Sequence, residues 1–152
     1  MMYLGEEKTV IFDEGVINVF KFFRQTGKKS EMGGILLGKI VGNKIYVLKA
    51  SIPTPFDKSS RFSFNRHKKS AQLFIDYEFL NSNGTIIYIG EWHTHPESNP
   101  TPSGPDLRMN KNQFKENIIN EDFLLMVIIG LKSNFVAHYD GTKISELKLK
   151  SD

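Results

Sequence analysis

Apolar positions recur along the chain at two different spacings, and each spacing predicts an element. Thr9 to Phe12 reads as a short strand. Asp13 can then cap a helix whose Val16, Ile17, Phe20 and Phe23 follow the three-to-four spacing of one helical face, with Gly27 placed to end it. Two β-rich runs follow, Gly33 to Val41 and Lys44 to Ile52, joined by the tight-turn pair Gly42-Asn43. Pro53 and Pro55 interrupt the pattern, and Arg61 to Asn65 alternates as a short strand. A second helix is predicted from about His67 to Leu80, with Leu73, Phe74, Tyr77 and Leu80 on one side, closed by Asn81 to Gly84.

Thr85 to Trp92 is almost continuously apolar, as a central strand covered on both faces should be. After a loop holding Pro96, Pro100 and Pro102, a third helix begins near Ser103 or Pro105 and continues through Leu107, Phe114 and Ile118. Three strands end the chain: Phe123 to Leu131, Asn134 to Tyr139 and Lys143 to Leu149, the last two linked by the hairpin pair Asp140-Gly141. The mixture predicts an α/β (mixed α+β) domain with a central, mostly antiparallel sheet flanked by helices. With 152 residues and no linker or repeat, the expectation is a single domain over 1–152.

Composition narrows the chemistry. The absence of Cys excludes a disulfide scaffold, a thiol nucleophile and a thiolate metal site. No apolar run is long enough for a membrane helix, and the first twelve residues lack the pattern of an export signal, so a cytoplasmic protein without a membrane partner is expected. The net charge of +3 is too small to argue for nucleic acid. Lys58, Arg61, Arg66, Lys68 and Lys69 do cluster around Phe62 and Phe64, which reads as a strand leaving a loop and entering a helix with its basic stems in water.

The chemistry concentrates between Gly90 and Asp106. His93 and His95, separated by one residue on an extended chain, point the same way, and Pro96 keeps His95 extended. Two such imidazoles at a strand end can share one zinc ion, and Asp106 on the next helix can return as a third ligand, leaving a fourth position open. Ser103 and Asp106 also fit a helix capping box, with Pro105 in the first turn, and the two readings are compatible. Glu91 falls on the same strand face as His93. Position alone favours it as a general base, and a hydrogen bond orienting a ligand imidazole is its other natural role. His67 and His138 lack such context and read as surface or core residues, and Trp92, pointing opposite to His93, reads as core. Gly33 and Gly34 suit a close backbone approach or a bulge.

The series His93-x-His95-x(7)-Ser103-x-x-Asp106 resembles the signature of the JAMM (MPN-plus) metalloproteases. Glu31-Met32-Gly33-Gly34-Ile35-Leu36-Leu37-Gly38 is similar to the element that precedes it in that family. The resemblance implies one zinc per chain held by His93, His95 and Asp106, Glu31 rather than Glu91 as general base, and Ser103 as a stabiliser of the oxyanion. It implies hydrolysis of the bond after the C-terminus of a ubiquitin-like protein, freeing a conjugated target. The stretch Gly90-Glu91-Trp92-His93-Thr94-His95-Pro96 resembles more narrowly the small prokaryotic JAB proteins, some of them encoded with anti-phage CBASS systems, where the target would be the system's nucleotidyltransferase (CD-NTase). Residues 56–64 and the proline loop are then candidate walls of a substrate groove, with Arg61 and Arg66 as candidate contacts. Two rival functions are a JAB peptidase trimming a sulfur-carrier precursor and a silent scaffold that binds partner proteins.

Overall fold

Eight strands close into a barrel in the computed structural model, which describes residues 1–116 and 122–151. In chain order they are β1 (Met2–Leu4), β2 (Thr9–Phe12), β3 (Gly33–Val41), β4 (Lys44–Ala50), β7 (Ile87–Thr94), β8 (Leu124–Ile129), β9 (Asn134–Tyr139) and β10 (Ile144–Leu149). Between β4 and β7 lie a separate two-stranded hairpin, β5 (Lys58–Ser60) and β6 (Ser63–Asn65), and the helix α2 (Lys68–Asn81). Helix α1 (Glu14–Phe23) follows β2, and α3 (Gly104–Glu116) follows β7. Around the barrel the order is β1-β10-β9-β8-β7-β3-β4-β2, with β2 returning to β1. Only β7–β8 and β2–β4 pair in parallel, so the sheet is mostly antiparallel as expected, but it closes on itself instead of remaining open.

Strand alternation divides the apolar residues between two layers. Leu36, Trp92, Leu125 and Val127 face one way and join Val16, Ile17 and Phe20 of α1 in the larger core. Ile35, Leu37, Tyr88 and Leu124 face the other way and meet Ala71 and Phe74 of α2 and Phe114 of α3. The middle strands are therefore covered on both faces, which is why β8 is apolar throughout and β7 is apolar until Glu91, His93 and Thr94 near its end. Trp92 is packed 5.4 Å from the Phe20 ring, and its Nε1 donates to the Ser51 carbonyl at 3.0 Å.

The structure departs from the sequence pattern at two helices, α1 and α2. Helix α1 ends at Phe23, ahead of Gly27, which instead takes a positive φ of 60° in the following turn. The face predicted to bury α2 points largely to water: Leu73, Tyr77 and Leu80 are exposed. The helix has a second stripe, Ala71, Phe74, Ile75 and Glu78, and that stripe packs, because the small Ala71 permits close approach and Glu78 pairs with Lys49 at 2.8 Å. Helix α3 starts at Gly104 and is followed to Glu116; Ile118 lies outside the described residues. Among the described residues, no helix is long and apolar enough to cross a membrane.

Candidate metal centre

The end of β7 and the start of α3 bring His93, His95 and Asp106 to one point. β7 is held between β3, where Gly33 pairs with His93, and β8, where Ile128 does. The ladder continues one step past the strand, since Thr94 N–H donates to the Met32 carbonyl at 2.8 Å and His95 N–H to that of Ile129 at 3.0 Å. The chain then turns through the proline loop to Ser103. There the capping box forms reciprocally: Ser103 N–H donates to Asp106 Oδ2 at 2.9 Å, and Asp106 N–H to Ser103 Oγ at 3.1 Å. The cap fixes the Asp106 carboxylate at the helix start and leaves the hydrogen of the exposed Ser103 hydroxyl uncommitted.

In the cluster, His93 Nε2 lies 3.2 Å from His95 Nε2 and 3.1 Å from Asp106 Oδ1, and His95 Nε2 lies 3.0 Å from Asp106 Oδ2. Ligands at about 2.0–2.1 Å in a tetrahedron stand about 3.3 Å apart. The spacing of the two imidazole nitrogens is close to that edge, each has one oxygen of the Asp106 carboxylate nearby, and one ligand atom from each of Glu31, His93, His95 and Asp106 falls within 4.8 Å of the others. These residues could therefore hold a metal ion, with nitrogen and oxygen donors suited to zinc. Glu97, whose part the sequence did not reveal, accepts from His95 Nδ1 at 2.9 Å and so aims Nε2 into the cluster. Burial pushes the Asp106 carboxyl up, but hydrogen bonds from His93 and His95 outweigh it and hold the group far below the usual carboxylate range. Burial lowers the His95 imidazole, and the Asp106 carboxylate reverses the shift, so His95 titrates above its ordinary value.

Glu31 reaches the cluster from the segment before β3 and is 3% exposed. Its backbone is gripped on both sides by the hairpin: its N–H donates to the Ser60 carbonyl at 2.7 Å, and its carbonyl accepts from the Ser59 hydroxyl. Gln25, also missed in the sequence, ties this region together from below. Its amide donates to the Lys29 and Arg61 carbonyls at 3.0 and 2.8 Å and accepts from Thr94 Oγ1 at 3.1 Å, and Met32 N–H reaches the same Thr94 oxygen at 2.9 Å. Gly33 is required beside it, because a Cβ there would strike the Trp92 carbonyl and lie 2.8 Å from the Phe64 ring. Burial raises the Glu31 carboxyl to about 7; His95 opposes this, while Asp106 and Glu97 add to it.

Glu91 stands outside the cluster. It accepts from Arg66 Nε at 2.7 Å and from the Tyr88 hydroxyl, and Arg66 also donates to Gln113 at 2.9 Å. Arg66 is thus committed to Glu91 and Gln113 inside the protein, whereas Lys58, Arg61, Lys68 and Lys69 are exposed. Glu91 holds the hairpin exit against α3, and Glu97, not Glu91, orients an imidazole.

Residues 16–140 match the family described as prokaryotic homologs of the JAB domain. The chain belongs to that family. It is similar to proteins named CD-NTase/cGAS isopeptidase from Pseudomonas aeruginosa (33% identity, covering 86% of this chain and 83% of that protein) and from Escherichia coli (30%, covering 95% and 90%). A similarly named Vibrio cholerae protein is 31% identical over 78% of this chain and 73% of its own length. A solution structure of a Desulfitobacterium hafniense protein shares the fold, with a TM-score of 0.60 at 18% identity, over 90% of this chain and 88% of that one. The JAB-family chain is a hydrolase of the isopeptidase type.

Proposed function

We propose that this protein is a zinc-dependent isopeptidase that acts in the cytoplasm and detaches a ubiquitin-like protein from a conjugated CD-NTase. The observation that carries the reading is the convergence of two imidazoles and a depressed carboxylate on one point beside a buried carboxylate with a raised pKa. Zinc held by His93, His95 and Asp106 would lower the pKa of water towards about 7 and polarise the scissile carbonyl. Glu31, in its ionised form, takes the proton of the attacking water and returns it to the departing amine. The uncommitted Ser103 hydroxyl hydrogen can be donated to the oxygen on which negative charge develops. The names of the P. aeruginosa, E. coli and V. cholerae relatives support a CD-NTase as the target.

The test is incubation of the zinc-loaded protein with a ubiquitin-like protein joined through its C-terminal carboxyl to a CD-NTase. Release of both proteins intact is the expected result. Cleavage of a C-terminally extended precursor alone would reassign the protein as a precursor peptidase, and cleavage of neither would leave it a scaffold.

The acid side of the rate profile follows from Glu31. Only its ionised form accepts a proton, so kcat/KM falls as pH drops below its pKa. The carboxyl is raised to about 7 in the protein alone, and a nearby dication favours the ionised form. The acid limb is therefore expected at or below about 7, with a tenfold fall per pH unit beneath it, measured on any cleavable conjugate.

A further inference from the structure

We infer that Asn110 is a specificity-determining residue whose carboxamide pairs with the main chain of the extended peptide that crosses from the hairpin to the metal cluster. The inference rests on the hydrolase reading above. A cavity of about 370 Å³ lies between the β5–β6 hairpin and α3, walled by Phe62 and Phe64 on one side and Met109 and Asn110 on the other, and reaching His93 and Asp106. Asn110 is 6% exposed, and among the described residues neither its Oδ1 nor its Nδ2, both shielded from solvent in the free protein, has a hydrogen-bond partner. The other polar side chains on this wall are engaged: Asp106 with the two imidazoles and its cap, Gln113 with Arg66, and Glu91 with Arg66 and Tyr88.

A buried carboxamide without partners destabilises the free protein, and a site that keeps one has a use for it. Its chemistry is neutral and two-sided, donor and acceptor together, which matches the N–H and C=O of a peptide unit and not a charged group. The place along the peptide follows from the helix. Asn110 is four residues after Asp106, about 6 Å along the axis of α3. That distance spans about two residues of extended chain, so the pairing falls about two residues from the scissile bond.

The experiment uses zinc-loaded full-length protein and a series of hexapeptides joined through their C-terminal carboxyl to the ε-amine of lysine, each N-methylated at one main-chain amide. The wild type is expected to lose at least tenfold in kcat/KM when the methyl sits two or three residues from the cleaved bond, and little elsewhere. Asn110→Leu removes both unpartnered polar groups, so it should melt at the same temperature as the wild type or higher, keep its zinc, hold kcat within twofold and raise KM at least tenfold. It should also lose the positional preference among the N-methylated peptides. A lower melting temperature with unchanged KM would make Asn110 a structural residue and overturn the inference, as would a flat N-methyl profile in the wild type. Should the zinc-loaded wild type cleave no unmethylated peptide, the hydrolase reading itself falls and takes the inference with it.

Discussion

Glu31→Gln is expected to reduce kcat by about 10²–10⁴-fold, the range ascribed to a general base, while the protein keeps its fold and its metal. The carboxylate is the group in the cluster that the metal-holding role does not need: His93, His95 and Asp106 already bring three donor groups to one point. Glutamine preserves the shape of the side chain, and the backbone bonds of residue 31 to Ser59 and Ser60 do not involve it. Stability should move the opposite way from activity. A carboxyl whose folded pKa is raised contributes stability that is full below the unfolded value and is lost as pH rises through about 7. The metal-free variant should therefore melt no lower than the wild type above pH 7.

Glu91→Gln gives the contrast. It removes the negative charge opposite Arg66 in a region where both side chains are largely buried, at 9% and 19% exposure. Breaking such a pair costs about 3–5 kcal/mol, so this variant should lose stability first and activity only as a consequence. An active Glu31→Gln beside a folded but dead Glu91→Gln would show the base to be misassigned.

The second large effect concerns the ion. The protein is expected to bind one zinc per chain by elemental analysis, and a chelator should abolish cleavage, with activity restored by added zinc. His93→Ala and His95→Ala should each purify without stoichiometric zinc and show no measurable turnover. The barrel should survive all three treatments with unchanged far-UV circular dichroism. The cluster sits at the rim of the sheet, at the end of β7 and the first turn of α3, while the main core around Trp92, Leu36 and Val127 is complete without it. Zinc here would serve chemistry more than folding, unlike the small domains that unfold when their metal is removed. Full activity in a His93→Ala protein free of metal would refute the reading.

The local parts of this fold were legible because local rules set them. Gly42-Asn43 and Asp140-Gly141 announce their turns, and Gly42 and Gly141 do take positive φ, at 62° and 99°. The one-residue gap between His93 and His95 places both rings on the same side because strand side chains alternate, and the structure gathers them with Glu31 and Asp106. What stayed hidden depends on long-range pairing. The three-residue β1 carries no periodic signal, yet its ladders to β2 and β10 close the barrel. Helix α2 offers two apolar stripes, and only the position of Lys49 and the bulk of neighbouring strands decide between them. Gln25 and Glu97 are ordinary polar residues in sequence; their roles exist only because Thr94 and His95 arrive beside them.

A sheet that closes on itself has no terminal strand. Each strand of the barrel pairs with two neighbours, though β10 meets β1 only through Lys148 and Leu149, so an incoming polypeptide or a second copy finds little open edge to extend. Among the described residues β5 and β6 each pair on one side only, and this two-stranded flap also grips the backbone of Glu31. A substrate strand that added to that flap would lie within reach of the carboxylate it holds in place.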